Sequence, residues 1–198
     1  MARRNDHTHE ELMRLAVDAT GALVDELGYQ AVTARAIAGR IGYTPGTLYS
    51  HFSNLDDVFL HVNLMSLKQL RLDWGQLITG DRSPEELLRT MGHAYLRFAT
   101  ERPRRFELLI HAQVPGSGAL PGYVQQNVDQ LKRLIASQLL RIQLDPAGVE
   151  ENAGAVLAAM HGVCVLALPG QLLTATWCAQ DATMDFVVTG CIERAREG

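Results

Sequence analysis

Cysteine, lysine and aromatic residues are scarce in this chain, and several patterns that would signal a particular chemistry are missing altogether. The 198 residues hold three cysteines, Cys164, Cys178 and Cys191, an odd number with no C-x-x-C pair. That excludes a disulfide framework and a cysteine zinc site, and it fits a reducing cytoplasm. Lysine occurs twice against sixteen arginines, a bias that says little about function. Met1 to Asp6 lead into a charged segment instead of an apolar one, so no secretory signal is expected. From Asn152 to Gln180 there is no charged residue, but Pro169-Gly170-Gln171 interrupts the stretch. Its longest helix contains His161 and falls short of the ~20 apolar residues a membrane span needs, so a buried helix is expected. Strand-like alternation between turn signals, internal repeats and low-complexity tracts are all absent.

Enzymatic constellations are missing as well. His9-Glu10-Glu11-Leu12-Met13 lacks the second histidine of a zinc-protease helix. The seven histidines are dispersed, and no serine or cysteine stands in an activating arrangement. The segment from Pro115 to Gly122 lacks the third glycine and the preceding strand of a dinucleotide fingerprint, and it reads as a loop. No catalytic residue, cofactor or metal is expected.

What is present is a core-forming composition: 47% hydrophobic and 20% charged, enough for one domain or for a small module joined to a larger one. The formal net charge of −4 opposes a nucleic-acid partner at first sight, because such partners select basic surfaces. Net charge is a sum, however, and partners feel local fields. Residues 1–62 carry five arginines against eight carboxylates, yet residues 27–55 contain no carboxylate, while Arg35, Arg40 and His51 lie inside that tract. Asp56 and Asp57 follow it at a helix start, where acidic residues suit the helix dipole.

The chain reads as helical throughout. A capping side chain followed by proline recurs at Thr44-Pro45, Ser83-Pro84 and Asp145-Pro146, and Glu86 completes a capping box with Ser83. The first helix is expected over 8–27 and is closed by Gly28. Short helices follow over 33–40 and 44–52, and a long one, capped by Ser53 or Asn54, over 55–78. Further helices are expected over 84–100, 103–112, 121–143, 146–168 and 181–196. The spacing of Leu87, Leu88, Met91, Tyr95 and Phe98 gives the first of these an apolar stripe. The fold expected is all-α.

Two short helices joined at Ile41-Gly42-Tyr43 describe a helix-turn-helix, whose second helix enters the major groove. The ordered residues Thr33-Ala-Arg-Ala-Ile37-Ala38, then Ile41-Gly42-Tyr43-Thr44-Pro45-Gly46-Thr47-Leu48-Tyr49-Ser50-His51-Phe52, then Asp56-Asp57-Val58 resemble the DNA-binding domain of TetR-family transcriptional repressors. The resemblance spans about residues 10–62. It implies a DNA-binding domain over 1–54 and a ligand-binding and dimerisation domain over 55–198, with helix 55–78 linking them. By the same resemblance Thr33, Thr44, Thr47, Tyr49 and His51 would bond phosphates, and Arg35, Pro45 and Gly46 would stand at the bases. Arg35 has the fork that pairs with guanine, while Gly46 would permit close approach. Arg3 and Arg4 suit an arm along the backbone or minor groove. Phe52, Ile37 and Leu48 read as packing residues, and Tyr49 reads equally well as packing or contact. The family commonly carries a lysine where this chain has Leu55, which removes one expected phosphate contact.

In the C-terminal part the resemblance is looser, with Met160-His161-Gly162 similar to a Trp-His-Gly signature of one subgroup. Gly154, Ala158 and Gly162 recur every fourth residue. With Phe186, Val187 and Gly190 they describe either a two-fold four-helix interface in a homodimer or the core of a monomer. A pocket for a small, largely apolar effector is expected among helices 84–100, 103–112, 121–143 and 146–168. Met91, Tyr95, Phe98, Phe106, Tyr123, Met160, His161 and Trp177 are its candidate lining, each equally readable as plain core. The reading is a cytoplasmic, homodimeric repressor on a palindromic operator, released by its effector. Its alternatives are a helical adaptor that has lost strong DNA binding and an enzyme built on a helical bundle.

Overall fold

The computed structural model describes residues 7–111, 121–142, 148–169 and 179–197, and all of its regular structure is helical. In chain order the helices are α1 (His9–Leu27), a 3₁₀ turn (Tyr29–Ala31), α2 (Ala34–Ile41), α3 (Pro45–Tyr49), α4 (Leu55–Leu77) and α5 (Pro84–Glu101). They are followed by α6 (Pro103–His111), α7 (Gly122–Arg141), α8 (Val149–Leu166) and α9 (Gln180–Glu197). Their ends follow local chemistry. Thr8 and Glu11 form a capping box on α1, and Gly28 closes it at φ 80°, a left-handed angle that favours glycine. Ser83 and Glu86 form the second box, with Pro84 at the first position of α5. Asn54, not Ser53, caps α4, its Oδ1 accepting from the Asp57 N–H at 2.8 Å. The expected helix over 44–52 ends at Tyr49, because the chain tightens there: the His51 N–H reaches the Leu48 carbonyl at 3.0 Å. Asp145-Pro146 lie outside the described residues, and α8 is described from Val149.

The chain packs as two compact units: Met1–Ser66 with Arg104–Pro121, and Leu67–Pro103 with Gly122–Gly198. The first has a core of Ala16, Leu23 and Val24 from α1, Val32, Ile37 from α2, Leu48 from α3, Phe52, and Val58, Phe59 and Val62 from α4. Leu108 of α6 completes it. Helix 103–112, expected on the pocket, therefore packs with the helix-turn-helix. Two consecutive arginines fix it there. Arg104 donates to the carbonyls of Asp25, at 2.9 Å, and Glu26, supplying the cation that the last turn of α1 lacks. Arg105 is buried, its Nε 2.9 Å from Asp25 Oδ1 and 3.1 Å from the Gly21 carbonyl. A Cβ on Gly21 would lie 2.2 Å from Arg105 Nη2, so the close approach itself requires glycine.

The second unit is a helical bundle in which α5 packs on α7, α8 and α9, and α8 packs on α7 and α9. Leu87, Leu88, Met91, Leu131, Ile135, Leu139, Val156, Met160, Met184 and Val188 fill its interior. Trp74, on the C-terminal part of α4, is fully buried and donates its indole N–H to the Met91 carbonyl at 3.0 Å. Helices α5 and α9 approach closely at Gly92, where a Cβ would meet Met184 Sδ at 2.9 Å. His93 bridges the same pair, 3.1 Å from Asp181 and 2.7 Å from Asp185.

Candidate nucleic-acid interface

Helices α2 and α3 are held apart by a turn whose pivot is Gly42, at φ 79° and ψ 26° in the left-handed region. Its N–H closes α2 onto the Ala38 and Gly39 carbonyls, and Thr44 opens α3 two residues later. The apolar inner faces, Ile37 and Leu48, are fully buried. That leaves Thr33, Arg35, Thr44, Gly46 and Tyr49 exposed and Pro45, Thr47 and His51 half-buried.

The threonines expected at phosphates also build the helices. Thr33 Oγ1 accepts from the Ala36 N–H at 3.2 Å, and Thr44 Oγ1 accepts from the Thr47 N–H at 3.3 Å. A hydroxyl that accepts at a cap keeps its own hydrogen to donate. Thr44 and Thr47 share one such hydrogen across 3.1 Å, so the pair has one left for an outside acceptor. Tyr49 is 47% exposed, so its side chain is not enclosed by packing between the short helices. His51 Nδ1 lies 2.8 Å from Ser50 Oγ and 3.0 Å from the Thr47 carbonyl. The His51 ring stacks on His9 with centroids 4.4 Å apart, and Tyr43 Oη lies 2.9 Å from His7 Nδ1. The start of α1 is thereby drawn to the turn. Arg3 and Arg4 lie outside the described residues.

The two arginines of the carboxylate-free tract part company. Arg40 forms a two-pronged pair with Glu26 at 2.6 and 2.7 Å, and that hydrogen bond holds the Glu26 carboxyl below its usual range. Arg35 stands exposed in the first turn of α2 with no carboxylate partner among the described residues. Among the described arginines of α2, Arg35 is the one without a carboxylate partner. Leu55, where the family carries lysine, packs against the core of the first unit, which explains why an apolar side chain sits there.

The expected ligand-pocket residues are scattered. Met91, Tyr95 and Met160 are buried in the second unit, and Phe98 and His161 are half-buried. Phe106 is fully buried on α6, in the first unit. Tyr123 is 39% exposed, and Trp177 lies outside the described residues. Tyr95 and His161 do meet, Oη to Nδ1 at 2.8 Å, with Trp74 edge-on to the Tyr95 ring. Burial raises the Tyr95 phenol and lowers the His161 imidazole, so both are neutral near pH 7. Burial also pushes the Cys164 thiol up to about 12, which makes it unreactive. A cavity of about 500 Å³ lies elsewhere in the unit, between α4 and α7, and its lining includes Arg71 and Arg133, neither indicated by an apolar stripe. Among the described residues no group of three or more His, Cys, Asp or Glu could hold a metal, and no helix is long and apolar enough to cross a membrane.

The small-residue stripe is open. Ala158, Gly162 and Gly190 are exposed, Gly154 and Val187 half-buried, and Phe186 is 80% exposed. A Cβ on Gly154, Gly162 or Gly190 would meet nothing within 4 Å among the described residues, so packing among them does not demand glycine at these positions.

Residues 16–62 match the family model for bacterial regulatory proteins of the tetR family, and residues 88–190 match the tetracyclin repressor-like C-terminal domain. The chain is 26% identical over 94 residues to the uncharacterized HTH-type transcriptional regulator YobS of Bacillus subtilis, covering 48% of this chain and about half, 49%, of the relative. It is 27% identical over 148 residues to the HTH-type transcriptional repressor KstR of Rhodococcus jostii, covering 75% of this chain and 67% of that one. Its fold is similar to that of the transcriptional regulator FadR from Bacillus subtilis, solved in complex with stearoyl-CoA. That comparison has TM-score 0.69 and 15% identity, covering 90% of this chain and 97% of the other.

Proposed function

Since the chain belongs to the TetR family of bacterial regulatory proteins, we propose that it is a cytoplasmic, homodimeric repressor that binds a palindromic operator and is released by a small effector with a largely apolar body. The observation that carries the DNA reading is the exposed, carboxylate-free face of α2 and α3, on which Arg35 stands without an ion-pair partner among the described residues. Thr33, Thr44, Thr47, Tyr49 and His51 anchor phosphates, and Arg35, Pro45 and Gly46 face the bases, with Arg3 and Arg4 as an arm.

Residues 1–54 read DNA, and 55–198 sense the effector and dimerise. The open stripe of Gly154, Ala158, Gly162 and Gly190, flanked by Phe186 and Val187, is where a second copy docks. Two copies present two recognition helices, which read half-sites about 34–36 Å apart. A structural neighbour solved with stearoyl-CoA and a relative named as a repressor support the effector and the direction of control. The effector acts through its differential affinity for the DNA-competent and incompetent states, a coupling of typically ~1–3 kcal/mol. Helix α4 contributes residues to both units, so it is the carrier of that coupling.

Arg35→Ala and Tyr49→Phe test the assignment by titration against operator DNA. Loss of a bidentate guanine contact costs about 1–3 kcal/mol, on the order of 10-fold or more in affinity. Wild-type affinity in both variants would overturn the contact assignment. Wild-type effector binding with no DNA binding by the unaltered chain would favour the adaptor reading instead, for which Leu55 and the engaged Arg40 are the supporting features.

A further inference from the structure

We propose that the groove between the C-terminal part of α4 and α7 is a binding site for an organic anion, a carboxylate or phosphoryl head on a small apolar body, held by Arg71 and Arg133. The cavity measures about 500 Å³, within the ~300–1,000 Å³ range of small-molecule sites. Its lining combines the two guanidiniums with the amides of Gln76 and Gln130 and the apolar side chains of Leu72 and Leu134, and contains no carboxylate.

Three observations point to an anion. First, Arg71 Nε is buried and has no hydrogen-bond partner among the described residues, a donor left unmet until an acceptor arrives. Second, the carboxylates nearest in the chain are already engaged. Asp73 accepts from Gln69 at 2.8 Å, and Asp129 accepts from Lys132 and Gln125 at 2.9 Å each. The Lys132 hydrogen bond, the largest influence on it, holds the Asp129 carboxyl below its usual range. Third, Gly75 lines the groove in the interior of α4, where glycine favours the helix less than alanine does. A Cβ there would meet nothing within 4 Å among the described residues, so none of them requires the missing side chain. The glycine keeps space open on the wall between the two arginines. Guanidinium is the group best suited to fork onto the two oxygens of a carboxylate or phosphoryl head.

Anion binding is independent of the repressor reading, while its effect on DNA rests on that reading. The test is calorimetric titration of the full chain with octanoate, octyl phosphate and neutral octanol at fixed ionic strength. Either anion, or both, should bind saturably and at least 10-fold more tightly than octanol. The anion that binds identifies the head group. Arg71→Gln and Arg133→Gln should each weaken binding about 10-fold, and Gly75→Leu should abolish it while raising the melting temperature. Arg133 is exposed, so its replacement leaves the fold intact even if Arg71→Gln proves unstable. Failure of both anions to bind, equal binding of octanol, or wild-type affinity in both arginine variants would overturn the inference. Operator affinity is read in parallel. Anion binding that leaves it unchanged contradicts the effector reading and not the groove; release by a ligand indifferent to Arg71 and Arg133 does the reverse.

Discussion

Gly46→Ala separates a residue kept for folding from one kept for DNA. Gly46 is exposed at the second position of α3, and a Cβ built on it would meet one atom, Thr44 Oγ1, at an ordinary 3.7 Å. Nothing among the described residues therefore opposes the extra methyl. Replacing glycine by alanine within a helix gains about 0.5–1 kcal/mol, and the first-turn position puts the gain near the lower figure. For a chain of this size that corresponds to a rise of roughly 1–2 °C in melting temperature. On DNA the sign reverses. If the α3 backbone is pressed against the duplex at this residue, a methyl must displace the helix or a base edge. Displacing one good base contact costs about 1–3 kcal/mol, on the order of 10-fold or more in Kd. Thermal melts and fluorescence anisotropy with operator DNA, both at one fixed salt concentration, read the two effects separately. A variant that is slightly more stable and binds DNA as tightly as wild type would refute the placement of Gly46 at the interface.

Three further outcomes follow from named contacts. Leu55→Lys should steepen the decline of log K with log salt by about 0.9, one additional phosphate, at a stability cost of about 1 kcal/mol from lost packing; an unchanged slope would contradict the contact. Arg105→Met should lower stability by about 1–3 kcal/mol in urea titration, less than for a fully buried pair because the remaining Asp25 carboxylate is 44% exposed and can hydrate. Wild-type stability would show that α6 does not depend on the clamp. The fold holds His161 neutral by burial, whereas the unfolded chain takes up the proton near pH ~6.5, so acidification through that value favours unfolding and the loss levels off below the lowered folded value. Melting temperatures between pH 8 and about 5 should fall less steeply for His161→Gln than for wild type, and identical slopes would contradict the linkage.

The sequence carried the helix-turn-helix because its determinants are local. Thr33 and Thr44 cap helices three residues wide of their targets, Gly42 supplies the left-handed turn, and Ile37 and Leu48 mark the buried faces. The clamp of α6 on α1 was illegible, because it joins residues 84 apart, Arg105 and Gly21. Gly21 reads in sequence as a weak spot in a helix, and only the guanidinium lying against it gives it a reason. The adjacent arginines at 104 and 105 were the one available signal. Apolar periodicity placed Met91, Tyr95 and Met160 inside correctly, but burial does not distinguish a packed interior from a pocket wall. A cavity lies where Gly75 removes a side chain and two arginines supply stems, a pattern that looks in sequence like an ordinary solvated helix face. The net charge of −4 proved uninformative for a related reason. The carboxylates lie outside residues 27–55, and one of them, Glu26, occupies Arg40 and leaves Arg35 without a carboxylate partner among the described residues.

The central claim is that two copies of the α2–α3 face read a two-fold symmetric DNA site. Selection of fragments from a random double-stranded pool by the immobilised full chain, at a salt concentration near 150 mM, tests it in one step. The account predicts enrichment of an inverted repeat with half-site centres about one helical turn, 34–36 Å, or a multiple of it apart, lost in Arg35→Ala. Recovery of an unenriched pool, or of a motif that Arg35→Ala selects equally well, would contradict it.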